Sequence, residues 1–147
     1  MTEYYFLILF HVLGATIWVG GHLVLAIGYL PEALKKKSVT DLQIFESKFE
    51  RIGIPALLVQ IVTGLRLALI REPDWHQWFD HSNPNHGIGL KLILLLATAL
   101  LAVDARLRVI PKLNSENIKS LAWHIIPVTV IAVIFVVIGT SFKVGGF

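Results

Sequence analysis

The chain contains no cysteine, and its single methionine is the first residue. Disulfides and thiolate metal sites are therefore excluded, and the soft sulfur ligands that Cu(I) favours are missing. Charge is scarce as well. Only 16% of the 147 residues are Asp, Glu, Lys or Arg, while 55% are hydrophobic, against about 25% charged in an ordinary soluble domain. No serine-nucleophile motif, phosphate loop, dinucleotide fingerprint or HExxH is present, so soluble-enzyme chemistry has no support. The net charge of +3 does not point to nucleic acid, because the basic residues concentrate beside apolar runs.

Those runs are what the chain has in quantity. Four stretches, at about 4–30, 52–70, 87–110 and 121–142, reach the roughly 20 residues that cross a hydrocarbon core. The first is too long, and too unlike a charged-then-apolar leader, to read as a signal peptide. The expectation is an all-α integral membrane four-helix bundle in one domain, up-down-up-down because the connections are short. The segments around Lys35, Lys36, Lys37, Lys48 and Arg51, and around Arg106, Arg108, Lys112 and Lys119, are basic. The middle connection sets one Arg71 against Glu72, Asp74 and Asp80. Positive charge stays on the cytoplasmic side, which predicts a multi-pass inner-membrane protein with both termini on the outer, periplasmic side.

Local signals refine the ends. Thr40 with Gln43 fits a capping box, so the second helix is expected to start near residue 41. Asn114 or Ser115 is expected to cap the fourth. Pro55 and Pro127 then fall inside helices, where each removes one backbone hydrogen bond.

The first span carries two histidines, His11 and His22, in an uncharged apolar setting. An ionisable side chain within a span is a functional hypothesis by default. Eleven helical residues return to within about 20° of the same face, with the imidazoles about 16 Å apart along the axis. Trp18 lies between them, and Gly14, Gly21 and Gly28 form an adjacent lane of small residues that admits a neighbouring backbone or a flat cofactor. Two imidazoles at different depths suit two stacked haems, each ligated axially by histidine. Depth pairs His22 with His124 as an inner site and His11 with His86 as an outer one, with His76 or His81 able to replace His86. The alternative is that these histidines hydrogen-bond to neighbouring helices.

Arg66, Arg71 and Lys91 are candidates for the propionates of an outer haem, with snorkelling to the headgroups as the other reading. Asp104 and Arg108 are spaced for a helix-end ion pair. The loop DWHQWFDHSNPNH places His76, His81 and His86 among Asp74, Asp80 and interfacial aromatics. Imidazole and carboxylate there could take Cu(II) or Zn(II), although the spacing matches no defined metal motif.

FHVLGATIWVGGHL (residues 10–23), VTGLRLAL (62–69) and GLKLILLLATALLAVDAR (89–106) resemble the helices of copper resistance protein D (CopD) domains, and the resemblance implies copper handling. The same broad four-helix group includes HemJ-type membrane protoporphyrinogen oxidases. They share the Phe-His opening, here Phe10-His11, and an early lysine in the third helix, here Lys91. That likeness implies haem-related chemistry at His11 and Lys91. The HemJ-like histidine late in the third helix is absent, and Asp104 stands there.

The leading expectation is a b-type cytochrome with two haems b, moving electrons between a quinol and an outer-side acceptor. Its partners would be membrane lipid, the quinol or a redox protein, and a second copy in a homodimer. The alternatives are a CopD-like copper-handling protein, with the outer histidines capturing Cu(II), and a HemJ-like porphyrinogen oxidase.

Overall fold

A computed structural model describes residues 2–142. The described residues form four long apolar helices: α1 (Thr2–Lys36), α2 (Thr40–Arg71), α3 (Gly87–Lys112) and α4 (Ile118–Ser141). Each is long and apolar enough to cross a membrane. Large apolar side chains cover the outside of the bundle, among them Ile27, Val62 and Leu107. In water this would be a severe cost; against lipid tails it is the solvated state.

The inward faces follow helical periodicity. On α1 the buried positions are Gly14, Trp18, Leu25, Leu30 and Ala33, and on α2 they are Leu42, Gly53, Ala56 and Thr63. Helix α1 packs against α2 and α4, and α4 packs against α3. Helices α2 and α3 are not packed along their lengths; the Arg106–Glu50 ion pair, 2.7 Å, bridges them. Helices α1 and α2 approach closely at Gly14, where an added Cβ would lie 2.8 Å from the Ala56 carbonyl oxygen of α2.

The helix ends depart from the sequence expectations in several places. Helix α1 passes Leu30 and continues to Lys36. A π turn over Val24–Tyr29 hands over to α-helix at Leu30, which places Pro31 in the first turn of that α-helical segment, where proline is tolerated. Helix α2 starts at Thr40, one residue before the expected position, but the capping box does not form. Its N-cap is Val39, which offers no side-chain oxygen, and the Gln43 N–H donates to the Val39 carbonyl instead. Asn114 does not cap α4 either. Its Oδ1 accepts from the backbone N–H of Glu116 and Asn117, closing a local turn, and α4 begins beyond it at Ile118. Pro55 and Pro127 lie inside α2 and α4 as expected.

A second π turn, Ala105–Val109, follows Asp104 in α3. Both π turns lie at the end of the bundle away from the 72–86 connection. Between α2 and α3 that connection is shaped by a short 3-10 turn at Trp75–Phe79, with the Trp78 indole donating to the Glu72 carbonyl.

Candidate functional site

Histidines mark two levels of the bundle. At the level nearer the 72–86 connection, His11 reaches across to α2. A carbonyl only accepts, so His11 Nδ1 carries the proton and donates to Gln60 O at 3.1 Å and to Thr63 Oγ1 at 3.0 Å. The Thr63 hydroxyl is free to accept because its own proton goes to the Val59 carbonyl, 2.6 Å away. The imidazole edge rests over Gly64, where a Cβ would come within 3.0 Å of His11 Cε1.

At the opposite level, His22 Nδ1 donates to the Trp18 carbonyl at 2.8 Å. Its ring lies 4.4 Å from the Trp18 ring and 5.4 Å, edge-on, from Phe49. In the connection, His86 Nδ1 donates to Asn83 O at 2.8 Å, and its ring is 5.7 Å from that of His81. His11, His22 and His86 thus share one arrangement: Nδ1–H anchored on a carbonyl and Nε2 left as a lone-pair donor. Metal-binding imidazoles are held in this way.

His124 is different. Its Nδ1 faces the Ser120 carbonyl at 2.9 Å, and its Nε2 faces Asp104 Oδ2 at 2.8 Å. Neither nitrogen is open to a metal. Asp104 also takes Arg108 at 2.8 Å, the helix-end pair expected from the spacing.

The expected haem sites do not fit this arrangement. His22 and His124 do line one cavity, but it has a volume of about 180 Å³, below the roughly 300–1,000 Å³ of ordinary ligand pockets, and His124 is already committed on both nitrogens. The outer pair is not assembled, since His11 is turned to α2 and His86 to its own loop. The glycine lane is filled by helix contact instead of a flat cofactor: Ala56 and Gln60 cover Gly14, and the Phe49 ring covers Gly21. Gly28 has open space beside it.

The propionate candidates have protein partners. Arg66 Nε donates to Glu3 at 2.8 Å. Arg71 donates to Asn85 Oδ1 and to the Phe142 carbonyl, and its guanidinium lies 4.7 Å from the Phe142 ring centroid. Lys91 Nζ stands 5.0 Å from the same ring. In the loop, the His76 ring lies tilted against Trp75, with centroids 3.7 Å apart, and the His76 backbone N–H donates to Asp74 Oδ1. The Asp80 carboxyl is held below the usual carboxylate range by the hydroxyl and N–H of Ser82. Among the described residues no group of three or more His, Asp or Glu side chains is arranged to hold a metal ion.

Sequence reasoning missed Gln60 and Thr63, which orient His11, and Phe49, Glu46 and Glu50, which wall the cavity beside His22 and His124. The signal was present in helical phase. Residues 42, 46, 49, 53, 56, 60 and 63 recur at alternating steps of four and three, one continuous face of α2.

No curated protein and no solved structure matches this chain. A family model described as copper resistance protein D matches residues 44–142, from the early turns of α2 to the end of α4. His11, Trp18 and His22 lie outside the matched stretch; His76, His81, His86, Lys91 and His124 lie within it. With two of its four spanning helices matched in full and most of a third, this multi-pass membrane chain belongs to the copper resistance protein D (CopD) family.

Proposed function

We propose that the protein handles copper as cargo within the membrane. The family match carries this reading. The imidazole geometry supports it, with His11, His22 and His86 each presenting Nε2 while Nδ1 is anchored. In this reading the 72–86 loop faces outward and captures Cu(II) through His81 and His86, since nitrogen ligands suit Cu(II) in the absence of thiolates. His11 and His22, on one face of α1, offer single-imidazole contacts at two depths. The tertiary structure contributes orientation: anchored rings exchange a metal without first giving up rotamer freedom.

Two measurements test it. Cu(II) is titrated against a competing chelator into the protein in nanodiscs, followed by electron paramagnetic resonance. The His81→Ala/His86→Ala variant is expected to weaken the tightest site about tenfold or more. In proteoliposomes, His11→Ala and His22→Ala are expected to slow copper passage while leaving loop binding unchanged. Unaltered copper affinity in the double variant would overturn the proposal. So would a stoichiometric haem b spectrum that disappears with His11 or His22, which would restore the cytochrome expectation.

A further inference from the structure

The cavity at the end of the bundle away from the 72–86 connection carries a charge pattern that copper handling does not use. All four helices contribute to its wall, including Trp18 and His22 of α1, Glu46, Phe49 and Glu50 of α2, and His124 of α4. Both π turns border it, through Leu25 on α1 and through Ala105 and Arg106 on α3. Such turns recur at functional sites because they displace side chains from the regular helical ladder.

The titratable side chains that line the cavity are Glu46, Glu50, Arg106 and His124, with His22 beside them. Arg106 is taken by Glu50 at 2.7 Å, and Arg108 by Asp104 at 2.8 Å. Glu46 is half-buried in the wall and has no ion-pair partner among the described residues. Beside it the wall is aromatic. The Trp18 and Phe49 rings are 6.2 Å apart, with the His22 ring 4.4 Å from the first and 5.4 Å from the second. A carboxylate without an ion pair, in one wall with an indole and a phenyl ring, suits an alkylated ammonium ion: the carboxylate supplies charge, and the ring quadrupoles attract the cation without demanding hydrogen bonds. The volume of about 180 Å³ admits a head group of a few heavy atoms.

We propose that this cavity binds a small substituted ammonium ion, with Glu46 as its counter-charge and Trp18 and Phe49 as its walls. The gap between α2 and α3, crossed by the Glu50–Arg106 pair, supplies the entrance. The same chemistry arrives either as a free amine-type solute or as the ammonium head of a lipid.

Radiolabelled choline, equilibrated by dialysis with the whole protein in phosphatidylglycerol nanodiscs, tests this. Saturable binding is expected, with little competition from the neutral isostere 3,3-dimethylbutan-1-ol. Glu46→Gln should weaken choline binding about tenfold or more, and Trp18→Leu about two- to fivefold, as loss of one cation–π contact implies. Replacing the nanodisc lipid by phosphatidylethanolamine identifies the source: displacement of choline assigns the site to a lipid head, and unchanged binding assigns it to a free solute. Absence of saturable binding to the wild type, equal competition by the neutral isostere, or undiminished binding in a folded Glu46→Gln protein would overturn the proposal. Should Glu46→Gln fail to fold, the isostere comparison on the wild type decides.

Discussion

Replacement of Gly14 by alanine is the sharpest test of how α1 and α2 pack. A Cβ at that position would lie 2.7 Å from Gln60 Cγ and 2.8 Å from the Ala56 carbonyl oxygen. Comfortable non-bonded contacts lie at about 3.5–4.0 Å, so each approach is short by at least about 0.7 Å. The Gln60 side chain can rotate away, but the Ala56 carbonyl is locked in a helix and cannot. Relief therefore requires the helices to separate, and small-to-large changes of this kind cost about 1–3 kcal/mol. Alanine recovers about 0.5–1 kcal/mol of helical preference over glycine. With both ranges taken at their middle, the net expectation is a loss of about 1 kcal/mol. Gly20 provides the control, because nothing lies within 4 Å of its added Cβ; Gly20→Ala is expected to be neutral or slightly stabilising. Unfolding by SDS in mixed micelles, followed by far-ultraviolet circular dichroism, measures both. Gly14 and His11 occupy neighbouring turns, so separation of the helices should also lengthen the His11 bonds to Gln60 and Thr63 and broaden the imidazole ¹⁵N resonances. Wild-type stability in Gly14→Ala, or an equal loss in Gly20→Ala, would refute the packing argument.

Thr63→Val removes one of the two acceptors for His11 Nδ1 while leaving Gln60 O in place; a loss of about 0.5–1.5 kcal/mol is expected in the same SDS titration, and copper binding at the outer loop should not change. Asp104→Asn removes the carboxylate facing His124 Nε2 and the partner of Arg108, so the ¹⁵N shifts of His124 should change while those of His11 do not. The loop turn at Asp80 is sensitive to pH. The Ser82 bonds depress the folded-state Asp80 pKa, so their stabilisation is fully present above the ordinary Asp value of about 3.9 and is lost as pH falls through the lower folded value. The protection factor of the Ser82 amide against hydrogen exchange should fall over that acid range, and no such fall is expected in Asp80→Asn.

Much of the fold could be read residue by residue. Four apolar runs of sufficient length, a helix start near residue 41, prolines inside α2 and α4, and the Asp104–Arg108 pair all follow from local pattern. The capping residues did not follow, because a Thr or Asn near a helix start has several backbone donors within reach. Asn114 satisfies a turn instead of a helix, and Thr40 lies within the helix whose cap is Val39. The π turns left no mark in the sequence pattern, so the extension of α1 to Lys36 was not legible either.

The candidate site shows the same division. The sequence by itself determined that His11, Trp18 and His22 share one helical face, because a fixed rotation per residue is a property of the single chain. It also determined the membrane class, since apolar run length and backbone satisfaction leave few alternatives. Only the tertiary structure decided what each imidazole meets. Depth alone made His124 a partner for His22, whereas packing of α3 on α4 gave it Asp104. Tertiary packing likewise turned the glycine lane into a contact with α2 and set Glu46, without an ion pair among the described residues, in one cavity wall with Trp18 and Phe49. Contacts between helices depend on their relative rotation and separation, which many side chains fix together, and no single stretch of sequence encodes that geometry.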